Sequence, residues 1–187
     1  METTIAVEQT EPEVRLRKFT IAEYYKMAEA GILAWKERVE LLDGHILQMT
    51  PIGDRHENIL DTLIGIFGDQ RKSRYAIRAN GPIRIPDFSE PQPDLTLYRR
   101  GVRTHPTPKD IHLVIEVSET TLRYDSGRKK TVYERGGIRE YWIIDVKQKT
   151  IIVHRLEDDR YRVTTHKGEA ISPHDFPDVA VNLNNLF

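Results

Sequence analysis

The sequence contains no cysteine. Disulfides, thiolate metal sites and a cysteine nucleophile are therefore excluded, and the composition fits a reducing compartment. No apolar run approaches the roughly 18 residues that a membrane span requires. The acidic, threonine-rich N-terminus, residues 1–13, lacks the basic and apolar regions of a signal peptide. We therefore expect a cytoplasmic protein with no membrane partner.

The chain also lacks an excess of either charge: 28 basic side chains face 29 acidic ones, for a formal net charge of −1. Because the whole molecule does not attract polyanions, nucleic-acid binding requires a local basic patch. The sequence has no glycine-rich phosphate loop and no nucleophile elbow. Its seven histidines show no zinc-ligand spacing.

The length of 187 residues suits one domain with a sizeable core. We expect residues 1–17 to form a flexible N-terminal tail, because they show no periodic pattern, and residues 18–187 to form a single domain. Thr20 followed by Glu23 is a capping box and predicts a helix start. Asp43-Gly44 between apolar runs predicts the turn of a hairpin.

Other apolar runs predict further strands and one more long helix. The helix is predicted from the helical spacing of apolar residues between 56 and 67. Strands are predicted at 75–79, 83–85, 95–98, 113–117, 140–145, 151–155 and 161–165, and a packing strand within 171–187.

The run from Leu113 to Val117 organises the chain. Its apolar residues are typical of a strand buried on both faces, yet the run contains Glu116. An unpaired buried carboxylate is costly, and a second acid beside it adds repulsion. A divalent cation between Glu116 and Asp94, which opens the preceding strand, resolves both problems. We therefore predict that this pair binds Mg²⁺, with Mn²⁺ as a substitute, because carboxylates and waters suit these ions better than zinc.

Lys129 is the candidate cationic side chain. On the helix predicted over residues 125–135, one stripe passes through Lys129, Val132, Tyr133 and Gly136. Lys129 therefore faces inward, whereas Lys130 is rotated about 100° away. The alternative is an i,i+4 pair of Asp125 with Lys129 on a wet surface. Two strand acids and a lysine suit metal-assisted phosphodiester hydrolysis, in which the lysine orients or deprotonates water or neutralises transition-state charge.

Two further polar side chains are ambiguous from spacing alone. Glu40 alternates with apolar neighbours in a predicted strand, and such an acid more often faces solvent. His56 opens the apolar stripe of its helix, where a histidine is usually a satisfied structural group.

An ordered set of motifs resembles a known family. Pro93-Asp94 and, about twenty residues later, Glu116-Val-Ser are similar to the PD-(D/E)XK nuclease pattern. The chain more closely resembles the Uma-two family of restriction-endonuclease-like proteins, from about residue 18 to the C-terminus. The residues that carry this resemblance are Val39-Glu40-Leu41-Leu42-Asp43-Gly44, His56, Pro93-Asp94-Leu95, Val114-Ile115-Glu116-Val117-Ser118, Asp125-x-Gly127-x-Lys129-x-x-x-Tyr133 and Gly137-Ile138-x-Glu140-Tyr141-Trp142.

The resemblance implies an α/β (α+β) fold with a restriction-endonuclease-like mixed central sheet flanked by helices. It also implies a metal-dependent nuclease site with Asp94 and Glu116 as ligands. The usual lysine of the superfamily, two residues after the acid, is replaced here by Ser118, and the resemblance points to Lys129 instead. It further implies that Glu40 is an additional acid near the metal and that His56 faces the site.

Three functions use this constellation. The first is a Mg²⁺-dependent endonuclease acting on DNA. The second is a non-catalytic nucleic-acid or protein-binding module on the same fold, and the third is a hydrolase of a small phosphoester or another substrate. Apolar edge strands make a homodimer plausible.

A basic cluster is the candidate contact with nucleic acid. It forms either a phosphate-contacting rim or ordinary solvated charge. Its members are Arg99, Arg100, Arg103, Arg123, Arg128 and Lys130.

Overall fold

The computed structural model describes residues 16–34 and 36–187. The predicted N-terminal tail, except for its last two residues, lies outside the described residues. The helices and strands are α1 (Ile21–Glu29), β1 (Val39–Leu42), β2 (His45–Gln48), α2 (Asp54–Gln70), β3 (Ala76–Ala79), β4 (Leu95–Tyr98), β5 (Ile111–Ser118), α3 (Leu122–Tyr124), a π-helical turn (Asp125–Lys129), α4 (Lys130–Arg135), β6 (Glu140–Asp145), β7 (Thr150–Glu157), β8 (Arg160–His166), β9 (Ala170–Ile171) and β10 (Val181–Asn182).

A mixed sheet of six strands forms the centre, in the order β3-β4-β5-β6-β7-β8. All neighbouring strands are antiparallel except β5 and β6, which are parallel. A parallel pair requires a crossover connection, and α3, the π-helical turn and α4 supply it. The predicted mixed central sheet flanked by helices is confirmed.

The two faces of the sheet are covered by different helices. Leu63 and Phe67 of α2 pack into one core with Ile115 and Trp142. Val132 and Tyr133 of α4, with Val114 and Ile143 of the sheet, belong to the opposite core. Because side chains alternate along a strand, from Leu113 onward β5 sends odd-numbered residues toward α2 and even-numbered residues, including Glu116, toward α4.

Several local predictions are confirmed. Thr20 is the N-cap of α1, and its hydroxyl accepts a hydrogen bond from the backbone N–H of Glu23 while the Glu23 carboxylate accepts from Thr20 N–H. Asp43 and Gly44 both have positive φ, 51° and 77°, as a type I′ turn requires. A Cβ on Gly44 would lie 2.5 Å from Lys18 Cβ, so glycine is also needed there for space.

Two predictions of regular structure are wrong. Residues 83–85 form an isolated bridge between Ile85 and Ser89 instead of a strand, since Pro82 and Pro86 remove ladder donors on both sides. The helix predicted over 125–135 begins at Leu122 and opens into the π-helical turn before α4. No helix within the described ranges is long and apolar enough to cross a membrane.

Candidate active site

The pairing of β4 with β5 brings Asp94 and Glu116 together. Leu95 lies opposite Ile115 in this antiparallel ladder, and one further step sets Asp94 opposite Glu116. Side chains at directly opposite positions share one side of the sheet, with their Cβ atoms about 5 Å apart. The two acids predicted to bind a metal therefore converge at one end of the central strands.

Asp94 is held by the protein through one oxygen. Its Oδ2 accepts a hydrogen bond from Val117 N–H at 2.7 Å and lies 3.0 Å from His56 Nε2. His56 is buried in the first turn of α2, and its Nδ1 has no partner among the described residues. Asp94 Oδ1 accepts no hydrogen bond from the part of the chain that the structure describes. His56 thus faces the acid pair rather than the core.

Glu116 is buried, with 3% of its surface exposed. Its Oε1 accepts hydrogen bonds from Lys129 Nζ and from Tyr133 Oη, both at 2.8 Å. Its Oε2 accepts none from residues 16–34 and 36–187. Burial raises the pKa of Glu116 well above its usual value, and the nearby Asp94 carboxylate adds to this effect, against the lowering by Lys129.

Lys129 is the buried cation of the site. Its Nζ lies 2.8 Å from Glu116 Oε1 and 3.5 Å from Glu40 Oε2, and only 4% of the residue is exposed. Burial disfavours the charged amine, but Glu116, Glu40 and Asp125 together outweigh it and raise the Lys129 pKa. Lys129 is therefore an ammonium group at neutral pH.

The alternative of a wet Asp125–Lys129 surface pair is wrong. Asp125 is 3% exposed, and its Oδ2 accepts hydrogen bonds from Ser118 and Thr121, both at 2.6 Å. Burial raises the pKa of Asp125. Asp125 thus adds a fourth acid to the surroundings of Lys129.

Glu40 is also buried, at 2% exposure, so the solvent-facing interpretation of this strand acid is wrong. Its Oε1 accepts from Tyr124 Oη at 2.8 Å, and its Oε2 accepts from Gln92 N–H at 3.0 Å besides facing Lys129. Tyr124 and the backbone at Gln92 therefore cover the face of β1 on which the Glu40 side chain lies. In contrast to Asp94 and Glu116, Glu40 has donors on both oxygens.

These side chains line one cleft of about 670 Å³. Its lining also includes Arg38, the segment 47–53 and residues between 119 and 129. The site holds four acids and one buried lysine. Within the described residues, no three acid or imidazole side chains are arranged to hold a metal ion. A cation here would rely on two carboxylates, and its other ligands would be waters.

The structure does not bring the six predicted basic residues together. Only Arg123 and Arg128 line the cleft. Arg99, Arg100 and Arg103 follow the far end of β4. Arg99 is five residues after Asp94, about 16 Å along an extended chain at 3.3 Å per residue. Lys130 does not line the cleft, and its Nζ lies 3.7 Å from Glu134 Oε1.

Arg99 and Arg100 also have partners away from the cleft. Arg99 donates to Asp110 and Arg100 donates to the Ser73 carbonyl. The predicted single rim is therefore divided between two ends of the sheet.

Two tyrosine side chains and one backbone N–H contact these acids without having been predicted from the sequence. Tyr133 was placed on the stripe of Lys129, one turn along, and that spacing was a usable signal for its contact with Glu116. Tyr124 and Gln92 reach Glu40 across 84 and 52 residues of sequence, and no local pattern indicates such contacts.

Comparison with known proteins identifies a family. The model of the Uma2 family, described as "Putative restriction endonuclease", matches residues 21–184. The comparison with curated proteins found no match.

A solved structure shares the fold. It is described as that of "a putative nuclease belonging to DUF820 from Anabaena variabilis ATCC 29413", and the chains are 15% identical. The TM-score is 0.65 over 80% of this chain and 89% of that chain. At this level of identity the likeness concerns the fold.

Proposed function

Since this chain belongs to the Uma2 family, we propose that it is a divalent-cation-dependent nuclease that hydrolyses phosphodiester bonds of DNA. The observation that carries the proposal is the convergence of Asp94, Glu116 and Lys129 at the floor of one cleft. Buried acids in excess over cations are costly without a counter-charge. A bound cation supplies that charge.

The donor set fits Mg²⁺, with Mn²⁺ as a substitute. Asp94 and Glu116 each keep one carboxylate oxygen without a donor from the described residues, and hard cations prefer such oxygens. Mg²⁺ commonly uses one or two protein carboxylates and retains several waters, which matches a site with two available acids. When bound, the cation would polarise a phosphoryl oxygen and lower the pKa of a water.

Lys129 serves as a fixed donor in this proposal. The acids Glu116, Glu40 and Asp125 raise its pKa, which favours the ammonium form, a hydrogen-bond donor. An ammonium held between Glu116 and Glu40 can orient the attacking water and stabilise negative charge that develops on the phosphate. This assigns Lys129 to orientation and charge stabilisation rather than to base catalysis.

His56 and the cleft arginines complete the assignment. His56 Nε2 lies 3.0 Å from Asp94 Oδ2, so the contacts on Oδ2 leave Oδ1 for the cation. Arg123 and Arg128 on the cleft wall are suited to phosphates that flank the scissile bond, because guanidinium groups bind phosphate in a bidentate way.

A cleavage assay with matched variants tests the proposal. Wild type should cut duplex or single-stranded DNA in Mg²⁺ or Mn²⁺ but not with a chelator, and Asp94→Asn should not cut. Asp61→Asn, which changes an exposed acid of α2, is the control and should cut like wild type. Cation binding without cleavage of either DNA would favour a small phosphoester or another substrate. Salt-dependent DNA binding without cation binding would favour a non-catalytic module.

The predicted homodimer and cytoplasmic location remain predictions. β3 and β8 lie at the two edges of the central sheet, and sheet edges of this kind are where a second copy would pair. Light scattering after size exclusion measures the assembly directly.

A further inference from the structure

Two tyrosine hydroxyls contact the acids on either side of Lys129. Tyr133 Oη donates to Glu116 Oε1 at 2.8 Å, and Tyr124 Oη donates to Glu40 Oε1 at 2.8 Å. A phenol carries a single proton to donate, so each hydroxyl is committed to one acid. The two contacts reach different carboxylates and meet only at Lys129, which lies between them.

Tyr133 fixes the orientation of the Glu116 carboxylate. Its ring is fully buried and packs edge-on against Tyr141, with 4.8 Å between the ring centroids. Tyr133 and Lys129 together occupy Oε1, and the carboxylate cannot rotate without losing both contacts. Oε2 is then the oxygen available to a cation.

Tyr124 acts on the other side of the lysine. With Gln92 N–H it holds both oxygens of Glu40, and Glu40 Oε2 lies 3.5 Å from Lys129 Nζ. The Tyr124 ring also lies 5.7 Å from Nζ, within the range of a cation–π contact. Tyr124 makes no hydrogen bond to Asp94 or Glu116 within the described residues.

We propose that Tyr133 is a positioning residue for Glu116 as a metal ligand, and that Tyr124 is a positioning residue for Lys129 through Glu40. The two hydroxyls divide the site into a half that holds the cation and a half that holds the lysine. This inference rests on the proposed nuclease function, because it assigns parts to the same site.

Calorimetric titration of Mg²⁺ into the full chain tests the division. Tyr133→Phe should weaken Mg²⁺ binding roughly tenfold, as loss of a partner that orients a metal ligand usually does. Its DNA cleavage should recover largely at saturating Mg²⁺. Tyr124→Phe should bind Mg²⁺ within about twofold of wild type, yet its kcat should fall by roughly tenfold at saturating Mg²⁺ with KM unchanged.

Tyr161→Phe is the matched control. Tyr161 is also buried, and its hydroxyl donates to the Ile138 carbonyl at 2.8 Å instead of to an acid. It should keep both Mg²⁺ affinity and kcat. Unchanged Mg²⁺ binding in Tyr133→Phe, or an equal loss in Tyr161→Phe, would overturn the inference while leaving the nuclease proposal intact. Failure of wild type to bind Mg²⁺ would overturn both.

Discussion

Two buried acids at opposite ends of β5 have opposite surroundings. Asp110 stands just before the strand, and Glu116 lies near its other end. Asp110 Oδ1 accepts from Arg99, and its Oδ2 accepts from the backbone and hydroxyl of Thr107. Glu116 has donors on one oxygen only and has other acids for neighbours.

The pKa shifts of the two acids differ in sign for this reason. Hydrogen bonds from Arg99 and then Thr107 lower the pKa of Asp110 to about 2, whereas burial and neighbouring acids raise that of Glu116. An acid whose oxygens are all occupied stabilises the fold. An acid with a free oxygen among like charges is poorly stabilised by the protein alone and is suited to a ligand.

Replacing Glu116 should produce the largest effect. Glu116→Gln should lose Mg²⁺ binding and DNA cleavage while keeping its circular dichroism spectrum, because an uncharged amide is a poor cation ligand. A metal contributes several kcal/mol to the transition state, so the cleavage rate should fall at least about 10³-fold. Asp110→Asn should cleave at the wild-type rate. Cleavage by Glu116→Gln within tenfold of wild type would remove the distinction between the two acids.

Replacing Lys129, the buried ammonium next to Glu116, should lower the free energy of unfolding. Lys129→Met leaves the acids of the cleft without their shared counter-charge, and breaking a buried pair in this way costs about 3–5 kcal/mol. Urea unfolding at neutral pH measures the loss, and Mg²⁺ should reduce it. Lys130→Met, which removes a half-buried neighbour with a weak pair at 3.7 Å, should change stability by less than about 0.5 kcal/mol. Equal effects of the two variants would show that Lys129 is not the counter-charge.

Asp110→Asn should lower the free energy of unfolding by less than Lys129→Met does. It loses hydrogen bonds to a charged acceptor, each worth about 1.5–3 kcal/mol, but the Arg99 side chain is 65% exposed and the ion pair is screened. A net loss of about 1–2 kcal/mol in urea unfolding is expected. A variant as stable as wild type would mean that Asp110 is not a structural acid.

The contribution of Asp110 should also depend on pH. Its folded-state pKa of about 2 lies below its ordinary value of 3.8, so folding favours the ionised form. Its stabilisation is therefore fully present above pH 3.8 and is lost as the pH falls toward 2. The difference in unfolding free energy between wild type and Asp110→Asn should shrink over that interval. A difference that stays constant would contradict the low pKa.

Replacing Arg128 in the cleft and Arg103 beyond β4 should change the salt dependence of DNA binding by different, small amounts. Arg128→Ala, on the cleft wall, should reduce the slope of log Kd against log salt by about 1. Arg103→Ala, at the far end, should leave the slope unchanged. Titrations of labelled DNA in Ca²⁺ measure both slopes, and equal slopes would show that the cleft is not the DNA-binding surface.

The sequence predicted what short-range patterns encode. The capping box at Thr20, the turn at Asp43-Gly44 and the inward stripe of Lys129 all depend on residues within one or two turns of each other. The buried run around Glu116 also signalled a charge that needs a partner, since apolar neighbours on both sides are uncommon for a solvated acid.

Contacts between distant segments could not be predicted in this way. Alternation placed Glu40 in solvent because nothing near it in sequence shows that Tyr124 and residue 92 cover that side. The basic residues appeared as one cluster because sequence distance does not show that β4 carries Arg99 away from Asp94. The helical spacing of residues 125–135 does not indicate the π-helical turn at Asp125–Lys129.

The most direct test of the account is a crystal structure with Mn²⁺, located by its anomalous scattering. We predict one strong peak in the cleft that contacts both Asp94 and Glu116, and no peak at Asp110. A cleft without a peak in crystals soaked at saturating Mn²⁺, with the fold unchanged, would contradict the claim that this acid pair is a metal site.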